Sequence, residues 1–210
     1  MKVLLVNGSP NEKGCTYTAL NEISKTLNEE GIETEILNLG KEPIAPCKAC
    51  RACAGLGRCV VNDSVNDWVD KVAEFDGFVF GSPVHYASIS SSIKSFLDRL
   101  FFSNSMSGKN SFKHKAGTAI VSARRAGTTA ALEQLNKYFQ ISQMPVISGR
   151  YWNMVHGSNP EEVLQDEEGM QNMRILAKNM AWHLKCREIA LKTGITPPEA
   201  EKIIFTNFIR

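Results

Sequence analysis

The stretch Met1-Lys2-Val3-Leu4-Leu5-Val6-Asn7-Gly8-Ser9-Pro10 decides the fold. Residues 2–7 are continuously apolar rather than alternating. That marks a strand buried on both faces, as in a parallel sheet. Gly8-Ser9-Pro10 stops it abruptly, and Leu20, Ile23 and Leu27 then recur at helical spacing within 15–30. Gly31 supplies a helix stop, and Glu33–Leu39 reads as a second strand. Strand, loop, helix and strand in this order make a crossover unit.

The rhythm continues outward. Asp63 is placed to cap a helix over about 64–74, and Gly77-Phe78-Val79-Phe80 reads as a third strand ended by Gly81-Ser82-Pro83. A helix over about 89–102, a polar loop over 104–115, a fourth strand at 116–121 and a helix over about 128–142 follow. Pro145-Val146-Ile147 starts a short fifth strand, and 160–192 reads as a long helix broken near Gly169. Strands alternating with helices predict an α/β, three-layer, flavodoxin-like fold with a five-stranded parallel sheet. Residues 1–150 are expected to form the ligand-binding domain, with a Cys-rich insertion at 40–61. Residues 151–210 form a helical extension on the same domain or on a partner subunit. The tail ends in apolar Ile203, Ile204, Phe205, Phe208 and Ile209.

With 43% hydrophobic and 22% charged residues, the 210-residue chain can bury a sizeable core. A net charge of +2, with dispersed basic residues, argues against nucleic acid as a main ligand. The apolar run at 1–6 is too short for a signal peptide, and no stretch reaches bilayer-spanning length. A cytoplasmic protein without a membrane partner is the expectation.

Three segments at strand carboxyl ends carry the candidate ligand chemistry. Gly8-Ser9-Pro10-Asn11-Glu12-Lys13-Gly14-Cys15-Thr16 offers hydroxyls, backbone N–H groups and a helix N-terminus, which together suit a phosphate. It lacks the Gly-Lys-Ser/Thr ending of a nucleoside triphosphate loop and the G-x-G-x-x-G of a dinucleotide turn. A monophosphate fits better than a pyrophosphate, though a plain turn with a helix cap has the same spelling. Gly81-Ser82-Pro83-Val84-His85-Tyr86 follows strand three, and Ser122-Ala123-Arg124-Arg125-Ala126-Gly127 follows strand four. Tyr86 could pack on a flat ring there.

The segment between the second and third strands carries Cys47, Cys50, Cys53 and Cys59, four of the six cysteines in the chain. Thiolates this close in sequence converge at little entropic cost. Four of them suit a [4Fe–4S] cluster. Zinc, a disulfide or uncommitted thiols are the alternatives, although zinc usually takes two separated Cys-x2-Cys pairs. Lys48, Arg51 and Arg58 would help neutralise an anionic centre. Cys15 and Cys186 read as small packing residues. His114, His156 and His183 lack metal spacing and read as surface or interface histidines.

These motifs resemble the NADPH-dependent FMN reductase family, and within it the iron–sulfur flavoproteins. The resemblance rests on Gly8-Ser9-Pro10 with Gly14 and Thr16. It extends to Gly81-Ser82-Pro83-Val84 running into Ser88-Ile89-Ser90 and Lys94-Ser95-Phe96-Leu97-Asp98-Arg99, with the cysteine loop between. It implies that Ser9, Asn11, Cys15, Thr16 and Tyr17 surround an FMN phosphate. Pro83, Val84, His85, Tyr86 and Ser88 would line the ring and ribityl chain, with Ser122, Arg124 and Gly127 at its far edge. It implies a [4Fe–4S] cluster on Cys47, Cys50, Cys53 and Cys59, while other reductases carry such a loop without one. The family usually has Asn at Cys15 and often Tyr at His85, departures that would retune flavin binding. By the same resemblance the chain is an FMN-dependent oxidoreductase, a homodimer or homotetramer. Its electrons would come from NAD(P)H or a ferredoxin-like donor and pass to a small-molecule acceptor. An NAD(P)H-dependent FMN or quinone reductase without a cluster is the alternative. A non-catalytic flavin-binding or thiol- or metal-sensing module is another.

Overall fold

A computed structural model describes residues 1–208. Its elements are β1 (Lys2–Asn7), α1 (Cys15–Glu29), β2 (Glu33–Asn38), α2 (Cys53–Leu56), α3 (Val65–Lys71), β3 (Gly77–His85), β4 (Ser88–Ile89), α4 (Ser91–Met106), β5 (Ala116–Ala123), α5 (Thr128–Ile141), β6 (Met154–His156), α6 (Pro160–Gln165) and α7 (Glu167–Lys192). The parallel strands run in the order β2-β1-β3-β5-β6, with β4 antiparallel on β3.

Alternate residues of β1 feed opposite cores, as the pleat requires. Leu4 and Val6 join Phe78 and Phe80 under Ile93, Phe96 and Leu100 of α4 and Leu135 and Phe139 of α5. Val3 and Leu5 join Leu20, Ile23 and Leu27 of α1 and Leu176, Met180 and Leu184 of α7. The expected three-layer architecture is present. Among the described residues, no helix is long and apolar enough to cross a membrane.

Three boundaries differ from the sequence expectation, each for an identifiable reason. β3 does not end at Phe80, because Gly81, Ser82 and Pro83 stay in register with Ile120, Val121 and Ser122 of β5. It turns only at Tyr86 and Ala87, whose positive φ values of 49° and 59° form a two-residue hairpin into β4. The fifth strand is displaced from 145–147 to 154–156. Val146 makes a single bridge to Gly117 before the chain leaves the sheet. Asn172 of α7 holds the excursion: its Oδ1 accepts from the Arg150 N–H at 2.8 Å, and its Nδ2 donates to the Trp152 carbonyl at 3.2 Å. The long helix breaks at Asp166 rather than Gly169. The Asp166 carboxylate caps α7 through the Gly169 N–H (3.0 Å) and also accepts from the His156 N–H (2.7 Å).

Residues 195–208 have no regular structure, and Ile203, Ile204, Phe205 and Phe208 are exposed. Ile209 lies outside the described residues. Cys186 is exposed on α7 and is not a packing residue.

Candidate functional site

The loop after β1 is held from within. Asn7 is fully buried; its Oδ1 accepts from the Ser9 N–H (3.1 Å), and its Nδ2 donates to Asn38 Oδ1 (2.9 Å) and the Glu12 carbonyl (3.2 Å). Ser9 Oγ accepts from the exposed Asn11 N–H at 3.1 Å. α1 then starts after Gly14, with no side chain capping its first turn and no acidic residue in it. Its leading N–H groups, from Cys15 to the half-buried Tyr17, are therefore left for an anion. Thr16 Oγ1 and Ser122 Oγ share a buried 2.8 Å hydrogen bond, which joins this loop to the end of β5. Cys15 Sγ faces the Gly157 carbonyl at 3.7 Å, and burial pushes its pKa up, so it stays a thiol.

The neighbouring loop is locked to the first. The Gly8 N–H donates to the Gly81 carbonyl (2.8 Å), and the Ser90 hydroxyl at the start of α4 donates to the Gly8 carbonyl (2.6 Å). Ser90 N–H in turn donates to Ser82 Oγ at 2.9 Å. Pro83 and Val84 are half-buried, His85 is exposed, and Tyr86 stands fully in solvent at the hairpin tip. Ser88 Oγ donates to Gln134 Oε1 on α5 (2.8 Å), so this hydroxyl braces the hairpin. Gly127, with φ +97°, precedes α5 where a Cβ would stand 2.8 Å from Ala87 Cα. Only glycine lets the third loop approach the hairpin this closely. Arg124 is exposed beside it. The structure thus gathers all three loops at one end of the sheet. The uncapped backbone N–H groups at that end are a fitting seat for the phosphate of a flavin mononucleotide.

The cysteine loop is built differently. Cys47 and Cys50 are exposed, Cys53 is buried at the start of α2, and Cys59 is half-buried; all are free thiols. Among the described residues no three His, Cys, Asp or Glu side chains gather as a site for a single metal ion. All four cysteines nevertheless border one small pocket walled by Arg99 and Phe102. Ala49 and Arg51 hold positive φ values of 53° and 57°, a conformation that non-glycine residues adopt at a cost. The donor set and its convergence on one pocket fit a cysteine-ligated cluster.

Two polar side chains that sequence reading did not single out shape this loop. Asn66 is buried; its Oδ1 accepts from the Cys59 N–H (2.9 Å), and its Nδ2 donates to the Cys59 and Val61 carbonyls (both 3.0 Å). Arg99 of α4 is fully buried and pairs with both oxygens of Asp63, at 2.5 and 2.7 Å. Its Nε donates to Cys59 Sγ at 3.3 Å. Asp63 also receives the Val65 N–H (3.1 Å), the helix-starting bond expected of it. The sequence signal is a polar residue directly beside a core-facing one: Asn66 next to Val65 and Arg99 next to Leu100.

Arg99 holds the Asp63 carboxyl below its ordinary pKa of 3.8. A lowered carboxylate pKa adds stability that is fully present above the ordinary value. That stability is lost as pH falls through the lowered one. Asp63→Asn strips a buried guanidinium of its countercharge and is expected to cost about 3–5 kcal/mol at neutral pH. Urea unfolding of both proteins across pH checks this: the gap narrows only below about pH 4.

A separate cavity of about 900 Å³ lies between α4, α5 and the tail, lined by Phe101, Tyr138 and Ile141, with His114 in its wall. His114 Nε2 is buried without a hydrogen-bond partner, which corrects its reading as a surface or interface group. None of the sequence-derived ligand residues borders this cavity.

Comparison with known proteins bears on the three-loop end and the cysteine loop together. An iron-sulfur flavoprotein of Methanocaldococcus jannaschii is 30% identical over 188 residues, covering 86% of this chain and 96% of that protein. One of Methanosarcina thermophila is 28% identical over 189 residues, covering 86% and 93%. The solved structure of RosB with a bound 8-demethyl-8-formylriboflavin-5'-phosphate intermediate superposes at a TM-score of 0.65 and 16% identity, covering 100% of this chain and 94% of that one. A flavodoxin from the domain Archaea does so at 0.59 and 14% identity, covering 88% and 99%. At those identities the superpositions speak for the fold alone. The family model for NADPH-dependent FMN reductase matches residues 1–159. The chain belongs to that family, the NADPH-dependent FMN reductases, and is a flavin-dependent oxidoreductase.

Proposed function

We propose that this protein is an electron-transfer flavoprotein that couples FMN to a [4Fe–4S] cluster on Cys47, Cys50, Cys53 and Cys59. The observation that carries this reading is the pocket bordered by all four cysteines, with a buried arginine bonded to one of the sulfurs. When bound, FMN supplies two-electron chemistry and the cluster single-electron transfer.

The chain's own part is to hold and orient. Ser9, Asn11, Thr16 and Tyr17, with the first N–H groups of α1, take the phosphate; Cys15 packs behind them as a neutral thiol. Pro83, Val84, His85 and Tyr86 border the ring, Ser88 fixes the hairpin, and Ser122, Arg124 and Gly127 form the far edge. α4 touches both sites: Ser90 at its start bonds Gly8, and Arg99 bonds Cys59. At 1.5 Å of rise per residue the two anchor points are about 14 Å apart along the helix. With a cluster present, a ferredoxin-like protein is the natural one-electron donor, and a small molecule the acceptor. A cluster-free reductase fed by NAD(P)H is the second reading, favoured by the thiols that do not gather as an ion site. In that case the exposed Arg124 and Arg125 would meet the nicotinamide nucleotide's 2′-phosphate. Assembly through the exposed apolar tail completes the proposal.

Analysis of anaerobically purified protein for FMN, iron, acid-labile sulfide and zinc tests it. Iron and sulfide in equal amounts beside FMN are expected. Zinc, or FMN alone with brisk NAD(P)H turnover, would favour the second reading.

A further inference from the structure

We infer that Arg99 is a positioning residue for the cluster: it fixes the cysteine loop and keeps a hydrogen bond on the Cys59 sulfur that ligates iron. The inference rests on the cluster reading above and adds a residue outside the four ligands. A guanidinium has five N–H donors in a rigid fork. Here Nε donates to Cys59 Sγ (3.3 Å), Nη1 to the Ala45 carbonyl (3.3 Å) and to Asp63, and Nη2 to the Val61 carbonyl (3.0 Å) and to Asp63. Every donor is used, and the acceptors come from both stems of the cysteine loop.

A brace alone would need only oxygen acceptors, which are stronger partners for a buried cation than a thiol. One donor is instead aimed at sulfur. Thiolate character at Cys59, which iron ligation enforces, makes that bond charge-assisted and so stronger. Hydrogen bonds and positive charge at a ligand sulfur stabilise the reduced cluster and raise its potential. Lysine cannot reproduce the effect, because its compact ammonium cannot span four acceptors around a fixed Nε–H.

Two measurements on FMN-loaded, anaerobically purified protein test the inference. In protein labelled with ¹⁵N-arginine, pulsed electron paramagnetic resonance of the reduced cluster is expected to show coupling to an arginine nitrogen that persists when Arg51 and Arg58 are replaced by lysine. In Arg99→Lys, the cluster potential is expected to move negative while the FMN potential stays put, which general loosening of the fold would not produce. If Arg99→Lys fails to fold or load iron, the wild-type coupling decides. A wild-type cluster with no arginine coupling, or an unchanged potential in Arg99→Lys, overturns the role of Arg99 and leaves the cluster standing. Wild-type protein without iron overturns the cluster reading itself.

Discussion

Cys50→Ala is expected to abolish the iron and labile sulfide of the protein while FMN remains at full occupancy. Cys50 is exposed, so its truncation removes a ligand without opening a cavity. The cost to the fold should stay within about 0.5 kcal/mol, as for surface substitutions in general. A cluster with three thiolates and no replacement donor at the fourth position is lost or degraded, because alanine offers no ligating atom. FMN is expected to stay because its proposed seat is assembled elsewhere. The loop at 8–17 is fixed by Asn7, Ser90 and the Thr16–Ser122 hydrogen bond, none of which touches residues 45–63. Iron, sulfide and flavin quantitation on the variant and its parent checks the result. Joint loss of iron and FMN would contradict the independence of the two sites.

Gly8→Ala is expected to do the reverse: FMN affinity falls by about tenfold or more while iron content is retained. An added Cβ at Gly8 would stand 2.5 Å from Ile93 Cβ and 2.9 Å from the Gly81 carbonyl oxygen. Neither neighbour can step aside, since Ile93 packs in the core under α4 and Gly81 is held in the β1–β3 register. The strain must move the loop that follows β1. Overpacking of this kind costs about 1–3 kcal/mol, and about 1.4 kcal/mol already corresponds to tenfold in affinity. Fluorescence titration of apoprotein with FMN reads the change. An unaltered dissociation constant would place the flavin away from this loop.

The centre of the sheet was legible because β1, β3 and β5 are buried on both faces. The apolar run at 2–7 has one reading, and the helix at 15–29 announces itself by the spacing of Leu20, Ile23 and Leu27. What stayed hidden depends on residues far apart in the chain. Nothing local says that Gly81-Ser82-Pro83, three turn-forming residues, continues a strand; its partner is β5. The displaced fifth strand follows from Asn172 gripping residues 150–152, some twenty positions away. The Asp166 break could have been read from its capping position three residues before Gly169, but that glycine drew the boundary instead.

The candidate site divides in the same way. The three loops and the four cysteines were legible from residue type and spacing. Arg99 and Asn66 were not, because neither has its partners within its own helix. Their function appears only when residues 45–63 fold against them. A charged residue directly beside core-facing ones is the signal worth following, since burying it demands a partner.

The central claim, flavin and cluster exchanging electrons within one chain, is tested most directly by an anaerobic reductive titration. Absorption and electron paramagnetic resonance would be followed together. The account predicts that the flavin bands and a broad iron–sulfur absorption bleach in one experiment, that a reduced-cluster signal develops, and that each chain takes up more electrons than FMN alone can hold. Bleaching of flavin bands only, with an uptake that FMN alone explains and no cluster signal, would contradict it.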